Sequence, residues 1–205
     1  MSTYKTEQEE FWAGEFGNQY INRNNNNYLL AGKLAMFSKI LESCERIKSV
    51  LEFGSNIGLN LQVLGMLLPE AKLSAVEINE KAVTELKKLN LHQVFNESIL
   101  NFNNKDKYDI TFTSGVLIHI NPEELQAVYK KLYESSGKYI LIAEYYNPTP
   151  VEIEYHGFSG KLFKRDFAGE LLDKYSDLKL INYGFTYKRD NNFQYADLSW
   201  FLLSK

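Results

Sequence analysis

The sequence predicts an α/β domain whose mostly parallel, seven-stranded sheet carries helices on both faces and ends in an antiparallel hairpin. Short apolar segments alternate with segments of helical periodicity along most of the chain, a pattern typical of a doubly wound parallel sheet. The last two apolar segments, 178–187 and 195–203, have no helix between them. These two segments are therefore expected to form the terminal hairpin.

The elements follow one another in a regular order. Strands are expected over 48–53, 72–77, 92–95, 108–113 and 138–143, each a short run rich in apolar residues. Helices are expected over 28–43, 58–68, 79–89, 121–133 and 166–174. Boundary signals support these limits, since Asn79 and Asp166 are good N-caps, Pro122 suits a first helical turn, and Gly137 ends the helix before it.

The composition limits the classes of protein to consider. With 205 residues, of which 44% are hydrophobic, the chain is long enough to form one domain with a substantial core. A net charge of −3 without a basic block argues against nucleic-acid binding. The single cysteine, Cys44, excludes an internal disulfide and a cysteine-based metal cluster, and no metal is expected. No signal-peptide or membrane-span pattern is present, so a soluble, cytoplasmic protein is expected.

A strand, a glycine turn and the start of a helix are predicted over 50–60, VLEFGSNIGLN. A second predicted strand, 72–77, ends in Glu77, twenty-five residues after Glu52. Glycines in such a turn let the backbone approach a ligand closely, and an acid at the end of the neighbouring strand accepts hydrogen bonds from ribose hydroxyls. The pattern predicts a site for an adenosine-containing cofactor.

The spacing within the turn indicates which cofactor to expect. A dinucleotide-binding G-x-G-x-x-G motif laid over positions 54, 56 and 59 finds only Gly54. The acid-x-G-x-G-x-G pattern of class I methyltransferases is matched at positions 52, 54 and 58, with Asn56 as the departure, and Asn tolerates positive φ. The expected cofactor is S-adenosylmethionine on a Rossmann-like class I methyltransferase fold. A nicotinamide-dependent oxidoreductase, and a turn whose glycines serve packing alone, are the alternatives.

Ligands of open α/β sheets lie across the carboxyl ends of the strands, and this rule assigns roles to the residues there. The first strand end is expected beneath the methionine part of the cofactor, the second at the ribose and adenine, the third at the adenine amino group, and the fourth at the sulfonium. At the first strand end the expected residues are Glu52, Gly54, Ser55, Asn56 and Gly58, and at the second they are Glu77 and Ile78. At the third they are Glu97 and Ser98, and at the fourth they are Ser114, Gly115 and Val116.

Two residues are candidates for proton transfer. A nitrogen or oxygen acceptor loses a proton as it is methylated, and the neutral imidazole of His119, just after the fourth strand, is one candidate base. Glu144, at the end of the fifth strand, is the rival base or acceptor-positioning acid. For His119, a structural hydrogen bond to a nearby carbonyl is the alternative. Catalysis of methyl transfer can rest largely on positioning the two reactants.

The chain is divided into four parts within one domain: an N-terminal helical lid (1–45), a cofactor-binding core (46–144), an acceptor-side loop (145–165), and a C-terminal helix and hairpin (166–205). The aromatic N-terminal segment is expected to cover the cofactor, with Tyr20 against it and Arg23 paired with its carboxylate. Packing of this segment on the core, with Arg23 at the surface, is the alternative. The segment 145–165 has no clear period and is expected to be an ordered substrate wall.

Three segments outside the glycine motif, EFWAGEFGNQYINRN (10–24), EYYNPTP (144–150) and GKLFKRDFAG (160–169), resemble the pseudaminic acid biosynthesis-associated methylases, a class I methyltransferase family. The similarity covers essentially the whole chain. It implies a nonulosonic acid of the pseudaminic or legionaminic type, or a precursor or nucleotide-activated form, as the small-molecule acceptor. An N-acyl or amidino nitrogen is the first expectation for the methylated atom, and a hydroxyl is the second.

With this acceptor in mind, cations are expected to meet its carboxylate or phosphate, and rings are expected to stack on its apolar faces. The expected acceptor-binding residues are Tyr145, Tyr146, Tyr155, His156, Lys161 and Arg165. His156 is also a weaker candidate base. A non-catalytic cofactor-binding partner in a sugar-modification complex is the alternative, and binding without turnover over a broad acceptor panel would favour it. Oligomeric state is left open.

Overall fold

The computed structural model describes residues 4–21 and 27–205, with no description of the side chains of residues 27 and 28. Its strands are β1 Ser49–Phe53, β2 Lys72–Glu77, β3 Gln93–Asn96, β4 Tyr108–Ser114, β5 Ser136–Glu144, β6 Val151–Tyr155, β7 Phe158–Lys164, β8 Lys179–Thr186 and β9 Leu198–Ser204. Its α-helices are α1 Glu7–Ala13, α2 Glu15–Tyr20, α3 Asn27–Leu41, α4 Leu59–Leu67, α5 Glu80–Leu86, α6 Leu125–Ser135 and α7 Phe167–Lys174.

Seven of the strands form one sheet in the order β3-β2-β1-β4-β5-β9-β8. The strands β1 to β5 pair in parallel, and β9 runs antiparallel to both β5 and β8. The order reverses direction between β1 and β4, which is where open α/β sheets form a ligand-binding crevice. This sheet confirms the predicted fold class, including the terminal hairpin.

Helices cover both faces of the sheet, because its central strands are apolar on both sides. On one face Met36 and Phe37 of α3, together with Leu61 and Leu64 of α4, pack against Val50 and the other residues of that face. On the opposite face α6 and α7 pack against the alternate residues of the same strands, and Tyr129, Leu132 and Leu171 are fully buried. Both cores lie directly beneath the carboxyl ends of the strands and hold those ends in place.

The segment 145–165 differs from the expected loop, because most of it forms a separate two-stranded antiparallel sheet, β6–β7. Its two-residue turn is His156–Gly157, and both residues have positive φ, 52° and 84°. Such a turn matches the twist of a hairpin. The hairpin packs on a single 3₁₀ turn, Leu117–His119, which follows β4. The segment that was expected to form a substrate wall therefore consists mainly of two β-strands.

Smaller differences concern element boundaries. Gly137 lies inside β5, because α6 already ends at Ser135, where the chain turns directly into the strand. The helix expected from residue 121 begins with a 3₁₀ turn, Pro122–Glu124, which Asn121 caps through its side chain. Within the described residues, no helix combines the length and apolar character needed to span a membrane.

Candidate functional site

A cavity of about 830 Å³ opens at the carboxyl ends of β1, β2 and β4. Its size lies in the range of small-molecule and cofactor sites. The walls are formed by the glycine turn after β1, by the residues that follow β2, β3 and β4, by α1 and α2, and by the chain that enters β9. The cavity therefore lies where the sheet topology predicts a ligand site.

The turn between β1 and α4 has three residues in the left-handed region of φ. Gly54, Asn56 and Gly58 have φ values of 73°, 46° and 80°. A side chain at position 54 would also clash, because an added Cβ would lie 2.6 Å from Val116 Cγ2. The structure thus shows why glycine occupies positions 54 and 58, and it confirms that Asn56 adopts positive φ in place of a third glycine.

Glu77 closes the other side of this turn. Its Oε2 accepts a hydrogen bond from the Asn56 backbone N–H at 2.7 Å, and its Oε1 accepts one from the Asn79 N–H at 2.8 Å. The side chain is buried, and this burial raises its pKa above the ordinary value while the backbone hydrogen bonds oppose the shift. Each carboxylate oxygen keeps a second lone pair for a ligand hydroxyl. Glu77 therefore links the two strand ends and still faces the cavity.

A buried chain of polar side chains lies beside Glu52 at the end of β1. Glu52 Oε1 accepts a hydrogen bond from Asn60 Nδ2 at 2.6 Å, and Asn60 Oδ1 accepts one from Lys33 Nζ at 2.5 Å. Lys33 Nζ also donates to Tyr195 Oη at 2.8 Å. Burial raises the pKa of Glu52 to about 8, while Asn60 and Lys33 oppose that shift. All four residues line the cavity.

Helices α1 and α2 lie over the side of the cavity formed by the ends of β2 and β3. Asn79 Nδ2 donates to the Trp12 carbonyl at 3.1 Å and to Asn18 Oδ1 at 3.1 Å. Ser98 Oγ donates to the carboxylate of Glu9. These contacts tie the N-terminal helices to the residues that follow β2 and β3. Helices α1 and α2 thus lie directly above the ends of β2 and β3, and the role of this segment as a lid stays a prediction.

The end of β4 is open toward the cavity. A Cβ at Gly115 would meet no atom within 4 Å, and Gly115 has a φ of 69°. The Ser114 hydroxyl beside it is buried and has no hydrogen-bond partner within the described part of the chain. Trp12 Nε1 and Glu52 Oε2 are likewise unpartnered there. Unpaired buried polar atoms are rare, and four of the seven found in the described residues belong to side chains that line this cavity, which fits a site that a polar ligand completes.

Glu144 occupies a different position from the one predicted for a base. Its Oε1 accepts hydrogen bonds from the backbone N–H groups of Val116 and Leu117 at 3.0 and 3.1 Å, and the side chain does not line the cavity. Burial raises its pKa to about 7, against the effect of these backbone donors. The geometry makes Glu144 a support for the loop after β4, outside the cavity wall.

His119 does line the cavity, and its ring orientation is fixed. Its Nδ1 lies 2.6 Å from the carbonyl oxygen of Lys161 on β7. Because a carbonyl can only accept, Nδ1 carries the proton and Nε2 carries the lone pair. The ring centroid lies 4.6 Å from that of Trp12 and 4.8 Å from that of Tyr155. Burial lowers the pKa of His119 to about 4, so the imidazole is neutral.

The remaining predicted residues divide into two groups. Those that line the cavity are Tyr20, Ser55, Ile78, Glu97, Ser98, Val116, Tyr145, Tyr155 and His156. Three predicted acceptor-binding residues lie elsewhere: the Tyr146 ring packs against Phe201 at a tilt of 47°, Lys161 pairs with Glu7 at 3.3 Å, and Arg165 pairs with Glu170 at 2.5 Å. Gly58 caps α4 behind the turn, and Arg23 lies outside the described residues.

Several cavity residues were absent from the prediction. They are Gln8, Glu9, Trp12, Lys33, Asn60, Asn79 and Tyr195. A signal existed for Lys33, a single lysine on the face of α3 that otherwise buries Met36, Phe37 and Ile40. The described residues contain no cluster of histidine, cysteine and acidic side chains that could hold a metal ion.

Comparison with solved structures establishes the class of fold: this chain has the fold of S-adenosylmethionine-dependent methyltransferases. The magnesium protoporphyrin IX methyltransferase of Synechocystis, solved with S-adenosylmethionine, matches with a TM-score of 0.68 and 13% identity over 100% of both chains. The plantazolicin methyltransferase BpumL, solved with S-adenosylhomocysteine, matches with a TM-score of 0.67 and 16% identity over 97% of this chain and 93% of its own.

A methyltransferase from Leishmania major matches with a TM-score of 0.72 and 13% identity over 97% of this chain and 81% of its own. No protein-family model and no curated protein matches the sequence. The similarity is thus one of architecture, and the function has to be argued from this chain's own residues.

Proposed function

We propose that this protein is an S-adenosylmethionine-dependent methyltransferase that acts on a small polar acceptor. The observation that carries the proposal is the pairing of Glu77 with the positive-φ turn at Gly54 and Asn56, both opening on one cavity. An acid and a glycine turn in this arrangement suit a ribose and the chain attached to it. The methyltransferase fold of the solved neighbours supports the same activity.

In this proposal S-adenosylmethionine supplies an electrophilic methyl group on its sulfonium. The open backbone at Gly115 leaves room for that sulfonium, and His119 Nε2 accepts a hydrogen bond from the acceptor N–H or O–H. A methylated nitrogen or oxygen is far more acidic than the free acceptor, so even a weakly basic imidazole can take its proton. Glu144 positions the loop that carries His119, and the main contribution to rate is orientation.

We further propose a nonulosonic acid, or a precursor of one, as the acceptor. The resemblance in segments 10–24, 144–150 and 160–169 supports this class. The rings of Tyr145 and Tyr155 line the cavity beyond Gly115 and suit the apolar faces of a sugar. Lys188 pairs with Asp197 at 3.4 Å but, unlike Lys161 and Arg165, it lines the cavity, so it replaces them as the cation expected to meet the acceptor's carboxylate. The same proposal keeps the chain as one domain with the four parts given above: the lid (1–45), the cofactor-binding core (46–144), the acceptor-side segment (145–165), and the C-terminal helix and hairpin (166–205).

The test is methyl transfer from isotopically labelled S-adenosylmethionine to a panel of nonulosonic acids and their nucleotide-activated forms. Label is expected in a nonulosonic product, with a loss of at least about tenfold in kcat for His119→Ala and a smaller loss for Glu144→Gln. Binding of the cofactor without turnover on any member of the panel would favour the non-catalytic alternative. Equal rates for wild type and His119→Ala would remove the base assignment.

A further inference from the structure

Lys33 is a buried cation without an anion beside it. The residue is only 7% exposed, and its ammonium donates hydrogen bonds to Asn60 Oδ1 and Tyr195 Oη, which are both neutral. Within the described residues no carboxylate lies within ion-pair distance of its ammonium. A buried charge is unfavourable unless an opposite charge compensates it. The ammonium has three donors, and the two neutral partners use only two of them.

Asn60 separates this cation from the carboxyl group of Glu52. The two partners fix the amide orientation, since Oδ1 faces the Lys33 ammonium and Nδ2 faces Glu52 Oε1. The second oxygen of Glu52, Oε2, is buried and has no partner within the described residues. One wall of the cavity therefore presents a cation and a carboxyl group that are separated by the side-chain amide of Asn60. Each of the two groups can still form a further hydrogen bond.

We infer that Lys33, Asn60 and Glu52 form the receptor for the zwitterionic amino-acid end of the cofactor. Lys33 binds the α-carboxylate, and Glu52 Oε2 accepts a hydrogen bond from the α-ammonium. The inference rests on the proposed function, and it moves the carboxylate-binding role predicted for Arg23 to a buried residue of α3. Both charges of the amino-acid end are then necessary for full affinity, so ligands that lack this amino-acid end should bind more weakly.

The electrostatics of the wall are consistent with this assignment. Burial raises the pKa of Glu52 to about 8 and Glu77 contributes in the same direction, while the Lys33 ammonium beyond Asn60 offsets the shift only in part. A bound ammonium would favour the ionised carboxylate. The ligand's own carboxylate would compensate Lys33 at the same time. The two ends of the zwitterion thus each satisfy a group that the protein alone leaves unsatisfied.

The test compares two ligands by calorimetric titration: S-adenosylhomocysteine, and 5′-methylthioadenosine, which shares its adenosine and thioether but has no amino-acid end. Wild type is expected to bind S-adenosylhomocysteine at least about 30-fold more tightly than methylthioadenosine. In Lys33→Met the ratio is expected to fall to within about threefold, through loss of S-adenosylhomocysteine affinity alone. Lys39→Met, an exposed lysine on the same helix, is the matched control and is expected to keep the wild-type ratio.

The outcomes separate this inference from the function on which it depends. If wild type binds neither ligand, the proposed function fails. If wild type binds both ligands equally, or if Lys33→Met keeps the wild-type ratio, the adenosine site stands and the assignment of Lys33 is wrong. Loss of both ligands in Lys33→Met would also contradict the assignment, because Lys33 would then support the whole cavity. Retained methylthioadenosine binding shows that the variant is folded.

Discussion

Glu52 and His119 lie in the same cavity, and burial shifts their pKa values in opposite directions. The pKa of Glu52 rises from an ordinary value of 4.5 to about 8, whereas that of His119 falls from 6.5 to about 4. In both cases burial disfavours the charged form. Burial in this cavity therefore favours a neutral acid and a neutral base, and each residue gives a separate pH-dependent prediction.

The first prediction concerns stability and pH. Above about pH 5 Glu52 is ionised in the unfolded chain, whereas in the folded protein it keeps its proton up to about pH 8. Stability should therefore fall as the pH rises across that interval. Glu144, with its pKa raised to about 7, acts in the same direction. His119 acts oppositely, but only below about pH 6.5. Melting temperatures from about pH 6.5 to 8.5 should therefore decline in wild type and decline less in Glu52→Gln.

The matched control for this measurement is Glu123→Gln, which changes an exposed acid. It should reproduce the wild-type slope of melting temperature against pH. Identical slopes for wild type and Glu52→Gln would show that Glu52 ionises at its ordinary pKa in the folded protein.

The second prediction concerns His119 and activity. Because burial holds its pKa at about 4, the ring stays neutral, and kcat should show no inflection from His119 between about pH 5.5 and 7.5. The pH–kcat profile of wild type, set beside that of His92→Gln, an exposed histidine control, checks this. An inflection near pH 6.5 that vanishes only in His119→Gln would mean that the site is wetter than the structure shows.

The third prediction separates two effects at Gly54. Gly54→Ala adds a strained positive φ and a clash with Val116, whereas Gly157→Ala adds only the strain, since its Cβ would meet no atom within 4 Å. Gly157→Ala should lower the free energy of unfolding by about 1–2 kcal/mol, and Gly54→Ala should lower it by more. Urea denaturation measures both values. Equal losses would show that Val116 moves freely aside.

Single residues were predictable from the sequence where one physical constraint dominated. The turn after β1 was predicted to need small or φ-tolerant residues, and Gly54 and Asn56 both have positive φ there. Glu144 was assigned a catalytic contact from its strand end alone, and the direction of its side chain depends on backbone N–H groups that only the folded loop brings near. Lys33 was missed because its partners, Asn60 and Tyr195, lie 27 and 162 residues away.

At the scale of elements, α1 is in contact with both halves of the cavity. Glu9 reaches Ser98 on the cofactor side, while Gln8 Nε2 donates to the Gly160 carbonyl of the hairpin at 2.8 Å. Phe11 contacts Phe158 across the same junction, with ring centroids 5.2 Å apart. The lid therefore rests on the hairpin and on the core at once.

The fourth prediction uses Trp12 of this lid as a reporter. The chain has two tryptophans, and Trp200 is buried in β9 away from the cavity. In Trp200→Phe, addition of S-adenosylhomocysteine should change the fluorescence of Trp12, because its indole lines the ligand site. In Trp12→Phe the emission of Trp200 should stay constant. A response confined to Trp200 would contradict the placement of α1 over the ligand.

The hairpin β6–β7 carried a sequence signal that was overlooked. VEIEY alternates apolar and acidic residues, and His156–Gly157 supplies a two-residue turn before β7. The two prolines just before VEIEY and the many aromatic residues around it hide this two-residue period when the segment 145–165 is considered as a whole. The terminal hairpin was easier to predict, because its strand β9 is almost continuously apolar.

For the whole molecule, the strand–helix alternation was sufficient to predict the sheet and its antiparallel end. Parallel strands that are buried on both faces appear in the sequence as apolar runs. The spacing between these runs is compatible with only a few sheet topologies. What the pattern could not supply was the closure of the cavity by residues distant in sequence, such as Trp12 beside His119. The part of the cavity wall built from turns local to β1 and β2 was therefore predicted better than the part formed by α1 and the β6–β7 hairpin.

The most direct test of the central claim is calorimetric titration of the protein with S-adenosylhomocysteine, with NAD⁺ and NADP⁺ titrated in parallel. Wild type should bind S-adenosylhomocysteine and neither nicotinamide nucleotide. Glu77→Gln should weaken binding by at least about tenfold, while the exposed control Glu80→Gln should not. Tight binding of a nicotinamide nucleotide, or an S-adenosylhomocysteine affinity that does not change in Glu77→Gln, would contradict the account of this site.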